Sequence, residues 1–196
     1  GAVRGVDAVV HLACVHGLGL TFEGSLDANY RGVLLLLQES LRAGVGRFVY
    51  ASSHHVLGAY RQDGFDPAEE AVAPDAFYGL GKASVGRACP IPARRLGLPA
   101  FEVRPAPPPP AVSDARTLRM WTSARDLAAL VAMGLRKDGL VHEVVYGVSA
   151  CPRPLFDNAR AFALGYRPQD RAEENLAPGF RPYEEMAPEL GRDWVG

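Results

Sequence analysis

Tyr78 and Lys82 stand four residues apart in the segment Tyr78-Gly79-Leu80-Gly81-Lys82. Ser53 lies 25 residues upstream of the tyrosine, just after the apolar run Phe48-Val49-Tyr50-Ala51-Ser52. On a helix, that spacing puts the phenol and the ammonium on one face. A phenol, an ammonium and a hydroxyl brought together make a proton-transfer site for alcohol and carbonyl chemistry. Free tyrosine titrates near about 10, so use as a base near neutrality needs a shift of about three units, or about 4 kcal/mol. One ammonium at about 4 Å supplies about that much at an effective dielectric of about 20. Lys82 is therefore chemically sufficient to activate Tyr78. The spacing also fits a bland alternative, in which Tyr78 packs and Lys82 is a solvated helix residue.

These groups need elements to hold them. Asp7-Ala8-Val9-Val10-His11-Leu12-Ala13 is almost continuously apolar, which predicts a strand covered on both faces. A glycine-containing loop over 17–24 leads to a helix from about Ser25 to Ala43, with Ser25 or Asp27 as cap and Gly44 as stop. Arg47 to Ser52 is a second buried strand, and 54–76 is polar and irregular, with Gly58, Gly64, Pro67 and Pro74. A helix starts near Phe77, and Ala100 to Arg104 is a third strand. Strand and helix in alternation predict a doubly wound α/β sheet. Beyond it, Pro105 and Pro107 to Pro110 form a stiff connector. Ser123 to Arg136 is a helix capped by Ser123, with Arg125 and Asp126 at its start. Glu143 to Val148 is a strand, and Asp157 to Leu164 is a short helix ended by Gly165. From Asp170 onward the charged, proline-dotted chain is expected to be irregular. Pro90 and Pro92 interrupt the helix after Lys82, at about 3 kcal/mol or more for each interior proline. Either the helix breaks near Ala88, or 85–95 is a local irregularity.

Bulk properties narrow the function classes. The 196 residues are 48% hydrophobic and 22% charged, enough for one well-buried core. A net charge of -1 indicates no general pull toward nucleic acid or an anionic membrane, so neither is expected as a partner. The histidines at 11, 16, 54, 55 and 142 and the cysteines at 14, 89 and 151 show no C-x-x-C or H-x-x-x-H spacing. His54 and His55, on an extended segment, point opposite ways with no third ligand, so no metal is expected. The sparse, odd cysteine set, with no signal peptide and no apolar run long enough to span a bilayer, predicts a cytoplasmic setting. His11 is expected as a hydrogen-bonded core histidine and Cys14 as packing, while Trp121 either stacks on a sugar or packs.

The blocks Asp7 to Ala13, Asn29-Tyr30-Arg31-Gly32, Arg47 to Ser53 and Tyr78 to Lys82 resemble, in order and spacing, the extended short-chain dehydrogenase/reductase family of NAD-dependent epimerases and dehydratases. Within it the chain is similar to the uronate dehydrogenase subfamily, through Ser52-Ser53-His54-His55-Val56-Leu57-Gly58, the segment from Arg116 to Asp126 with Trp121, and Tyr146-Gly147-Val148-Ser149-Ala150 followed by Asp157-Asn158. The resemblance implies a Rossmann-like parallel sheet, with residues 1–104 as the carboxyl-terminal part of an NAD-binding domain. Residues 105–196 would be a small substrate-side region on the same core. It implies NAD as cofactor, a small sugar acid as substrate, and a homo-oligomer as an open option. Ser53, Tyr78 and Lys82 would be catalytic: Tyr78 as general base, Lys82 lowering its pKa and holding the cofactor ribose, and Ser53 orienting the reacting hydroxyl. Leu12, Ala13, Asn29 and Ser52, with Tyr78 and Lys82, would line the cofactor site. Ser53, His54, His55 and Arg116 would contact substrate, with Arg116 on its carboxylate.

Two departures leave that trio intact: Gly81 in place of a serine, and His54 in place of an asparagine. A larger one is the glycine-rich G-x-x-G-x-x-G turn that cradles a pyrophosphate, which no residue before Asp7 supplies. The fold class expected is therefore a partial doubly wound sheet lacking its first βαβ unit, shortened by at least about 30 residues. Such a chain is expected to be inactive or poorly folded alone. Three readings stay open: a uronate-oxidising dehydrogenase, a nucleotide-sugar epimerase or dehydratase, and a cofactor-less remnant of the family.

Overall fold

The computed structural model describes residues 2–60, 71–106 and 111–182. Gly64, Pro67, the connector at Pro107 to Pro110 and the end of the tail lie outside the described residues. The strands are β1 (Ala8–His11), β2 (Arg47–Ala51), β3 (Ala100–Pro105), β4 (Val112–Asp114), β5 (His142–Gly147) and β6 (Leu176–Arg181). The helices are α1 (Phe22–Ser25), α2 (Val33–Arg42), α3 (Phe77–Ala88), α4 (Pro90–Arg95), α5 (Ala115–Leu118), α6 (Ala124–Arg136) and α7 (Ala159–Leu164). Strands β1, β2, β3 and β5 pair in that order, all parallel, while β4 and β6 form a separate parallel pair. This is the Rossmann-like α/β arrangement expected.

Side chains alternate across the sheet with a period of two. Phe48 and Tyr50 face α2, α3 and α4, where they meet Val33, Leu37 and Val85. Val49, Phe101 and Val103 face the other way, onto Leu130 of α6 and Leu164 of α7. β2 is therefore apolar on both faces because helices cover both, while β3 is apolar on the Phe101 and Val103 face and carries the Glu102–Arg104 ion pair on the other. β1 departs from the expectation: Val9 packs on the first cluster, but Val10 is 37% exposed. The helices of the second face reach only β2, β3 and β5, so β1 is covered on one side among the described residues.

The first helix starts earlier than its caps predicted. Thr21 is the N-cap, its hydroxyl accepting from the Gly24 N–H at 3.1 Å. A π-helical stretch over 26–32 joins α1 to α2. Ser25 turns inward to the Phe22 carbonyl, and Asp27 pairs with Arg31 on the surface, so neither caps. Gly44, with φ of 70°, stops the helix as expected.

Of the two options around Pro90, the break near Ala88 is the one found. Cys89 keeps helical dihedrals between α3 and α4. Both prolines then fall in the first turn of α4, where N–H groups have no intrahelical acceptor to lose. The tail beyond Asp170 is more regular than expected, with a short 3₁₀ turn at Ala172–Glu174 and then β6 on β4. β4 is only three residues long and β6 contains Pro178 and Gly179, so neither carries a readable strand pattern. Asp126 is fully buried and accepts the Gln169 and Asp170 N–H groups, latching this segment to α6. Trp121 takes its packing option, buried with Val112 and Ala172. No helix among the described residues is long and apolar enough to cross a membrane.

Candidate active site

The carboxyl end of β2 presents Ser52 and Ser53, and the first turn of α3 presents Tyr78. Ser53 is extended and caps a 3₁₀ turn over His54–Leu57, its hydroxyl oxygen accepting the His55 N–H at 3.1 Å. That leaves the hydroxyl proton available to donate. Tyr78 lies beside it, and Ser53 holds the phenol pKa down. Burial is the larger influence, and together with Cys14 and Asp75 it leaves Tyr78 above the usual tyrosine value.

Lys82 follows one turn later and is only 3% exposed. Its Nζ donates to the Ala51 carbonyl at 2.6 Å and stands 5.9 Å from the centre of the Tyr78 ring. Burial lowers the lysine's own pKa. The expected net lowering of the Tyr78 pKa is therefore not found. The ammonium lies over the ring, and burial is the largest influence on the phenol.

A cleft of about 390 Å³ opens at these groups, lined by Cys14, His16, Ser53, His54, His55 and Tyr78. Cys14 does more than pack, since it faces both Tyr78 and Lys82. Leu12 and Ala13 follow β1 at the same end of the sheet and are exposed, Leu12 by 57%. Ser52 is 2% exposed, and its buried hydroxyl oxygen has no hydrogen-bond partner. Asn29 is committed elsewhere: its amide accepts from the Val15 N–H at 2.9 Å and donates to the Val15 carbonyl at 2.7 Å. It thereby fixes the loop after β1.

His54 and His55 sit on the 3₁₀ turn with ring centres 4.3 Å apart, rather than pointing opposite ways from an extended segment. His54 donates from Nδ1 to the Pro105 carbonyl at 3.1 Å, and burial pushes its pKa down to about 3. It is therefore a neutral imidazole at physiological pH. His55 Nδ1 lies 2.6 Å from Asp75 Oδ2, and its ring stands edge-on to Tyr78. Among the described residues no three His, Cys, Asp or Glu side chains are placed to hold a metal ion. His11 is not hydrogen-bonded through Nε2; it stacks on Tyr50 at 6.0 Å.

Arg116 projects from α5, whose start is fixed by a reciprocal Asp114–Thr117 capping box. It lines a smaller cavity of about 60 Å³ with His54, Tyr60 and Phe156, and its charge helps to keep His54 neutral. His54 lines both cavities and so forms their shared wall. The fold thus gathers Ser53, Tyr78 and His55 at one cleft, with Lys82 buried against Tyr78 and Arg116 across His54. A larger recess of about 540 Å³ runs along β5 past Glu102 and Arg104, away from this chemistry.

Asp75 was missed from the sequence. Its only signal was position, three residues before Tyr78, in a segment that reads as loop. Two glycines make room for it. A Cβ on Gly58 would meet Asp75 Oδ2 at 2.0 Å, and one on Gly79 would meet the His55 carbonyl oxygen at 2.4 Å.

The model of the NAD-dependent epimerase/dehydratase family matches residues 2–109. A uronate dehydrogenase of Pseudomonas putida is 35% identical over 171 residues, covering 87% of this chain. The chain spans 63% of that relative's length. Among solved structures, uronate dehydrogenase from Agrobacterium tumefaciens superposes with a TM-score of 0.81 at 31% identity, over 88% of this chain and 64% of that one. Glucuronic acid dehydrogenase from Chromohalobacter salexigens gives 0.83 at 29% identity, over 88% and 65%.

Proposed function

The chain belongs to the NAD-dependent epimerase/dehydratase family, and from that premise we propose that it carries the proton-transfer and substrate face of an NAD-dependent dehydrogenase that oxidises a hexuronic acid at its anomeric carbon to an aldarolactone. The observation that carries this reading is the meeting of Ser53, Tyr78 and buried Lys82 at the carboxyl ends of the parallel strands, where α/β sheets bind ligands. The uronate relatives supply the substrate class.

In this reading the Ser53 hydroxyl donates to the anomeric oxygen and orients it. The Tyr78 phenolate takes the anomeric hydroxyl proton as the carbon–oxygen double bond of the lactone forms. Lys82 would stabilise the phenolate before the transfer, which leaves Tyr78 as a neutral phenol. Arg116 binds the uronate carboxylate through its planar two-pronged face. Neutral His54, between the two cavities, separates the carboxylate end of the sugar from its reacting end.

The residues present fit the nicotinamide end of the cofactor. The Ser52 hydroxyl is a buried polar group lacking a partner, and Leu12 and Ala13 offer an exposed apolar edge next to it along the strand ends. NAD, when bound, supplies the acceptor for the hydride that leaves the anomeric carbon. Lys82 and Ser52 would hold its ribose and amide side. Uronate-dependent NADH formation tests the reading. Turnover with galacturonate or glucuronate supports it, and turnover only with a nucleotide sugar would replace it.

A further inference from the structure

The His55–Asp75 pair is placed with more care than a surface ion pair requires. The carboxylate side chain is 15% exposed, and its Oδ2 lies 2.6 Å from His55 Nδ1. Its other oxygen, Oδ1, is buried with no hydrogen-bond partner. A buried, half-satisfied carboxylate is costly to keep. Here it is also given space by Gly58 and Gly79, since a Cβ at either position would strike Asp75 or the His55 backbone. Gly58 has ordinary helical dihedrals, with φ of -66° and ψ of -20°, so its missing side chain answers to this contact and not to backbone strain.

We propose that Asp75 is a positioning residue: its carboxylate pins the His55 proton on Nδ1, so that Nε2 meets the cleft as a hydrogen-bond acceptor for a sugar hydroxyl. An ionised carboxylate only accepts, which fixes Nδ1 as the donor. The opposite ring nitrogen then carries the lone pair. It lies on the side of the ring away from Asp75, and His55 lines the cleft beside Ser53 and Tyr78. A tautomer with the proton on Nε2 would present a donor instead and would repel a hydroxyl proton. Asp75 thus sets the polarity of one specificity contact without touching substrate. This inference rests on the sugar-acid reading of the cleft for its ligand, but not for its tautomer.

Two variants separate the possibilities. Asp75→Asn removes the charge that selects the tautomer. Gly58→Ala keeps the charge and pushes the carboxylate off His55. Nitrogen NMR of the His55 ring reads the tautomer directly, without substrate. The wild-type protein is expected to show a protonated Nδ1 and a bare Nε2, and both variants a mixture. In turnover, both variants are expected to raise the KM for galacturonate about tenfold while changing kcat by less than about threefold, as for loss of one ground-state hydrogen bond. A wild-type ring with its proton on Nε2, or variants that keep the wild-type tautomer, would overturn the proposal. So would a shifted tautomer with unchanged KM. If no uronate turns over while the tautomer behaves as expected, the substrate reading fails and the positioning of His55 stands.

Discussion

At the scale of single residues, the proposed base is Tyr78, and its environment opposes the charged form that the chemistry needs. Burial, Cys14 and Asp75 raise its pKa, while the Ser53 hydroxyl lowers it; the His55 ring edge and Lys82 complete its surroundings. The active species is the phenolate, and a raised pKa makes it scarce at neutral pH. The rate of oxidation should therefore climb as pH rises above neutrality, and a pH profile of kcat/KM checks this. A profile falling toward alkaline pH would remove Tyr78 as the base. Arg116 permits a second expectation. Arg116→Lys keeps the charge but loses the planar fork, so the KM for a uronate should rise by about tenfold or more, or about 1.4 kcal/mol. Steady-state kinetics with galacturonate measures it. Much of this residue set was legible in the sequence, because Tyr78, Lys82 and Ser53 are defined by spacing along one helix and one strand end. Asp75 was not, because its role depends on two glycines, Gly58 and Gly79, whose purpose appears only when the loop folds against α3.

At the scale of elements, β2 was readable because both its faces are apolar and covered, and β3 because Ala100, Phe101 and Val103 keep it buried between its neighbours. α6 was readable from its cap, since Ser123 accepts the Asp126 N–H as its position implies. The first helix was misplaced because Thr21, a weaker-looking cap inside a glycine-rich stretch, starts it four residues earlier by accepting the Gly24 N–H, while the Ser25 hydroxyl donates back to the Phe22 carbonyl. β4 and β6 were invisible because each is stabilised by its partner and not by its own pattern. Asp126 shows how one side chain can organise an element from a distance. Fully buried, it satisfies two backbone N–H groups of the segment that leads toward β6. Asp126→Ala leaves both groups unpaired and should lower the unfolding free energy by about 2 kcal/mol or more. Urea denaturation reads that loss, and a change below about 0.5 kcal/mol would show that the latch carries no weight.

At the scale of the whole molecule, one sheet serves two purposes. Its apolar faces bind α2, α3 and α4 on one side and α6 and α7 on the other, and its carboxyl ends hold the reactive groups. The buried, neutral histidine in that frame carries a cost at low pH. His54 titrates at about 3 in the folded protein, against an ordinary value of 6.5. Because its folded pKa is depressed, the unfolded chain binds the proton first. Stability is unaffected by His54 above pH 6.5 and is lost progressively as pH falls from there toward 3. His54→Asn should flatten that acid limb in denaturation experiments across the same range, and an unchanged limb would assign the acid sensitivity to other groups.

The central claim is that Tyr78, set by Ser53 and Lys82, takes the proton from a uronate during NAD-linked oxidation. The most direct test is NADH formation from galacturonate, comparing wild type with Tyr78→Phe. Because the chain spans 63% of the length of its Pseudomonas putida relative, both are assayed alone and joined behind that relative's amino-terminal part. The account predicts galacturonate-dependent NADH formation in the joined wild-type protein and a loss of at least about a hundredfold in joined Tyr78→Phe, with galacturonate binding retained. Turnover undiminished in Tyr78→Phe, or a folded wild-type protein that binds NAD yet makes no NADH from either uronate, would contradict it.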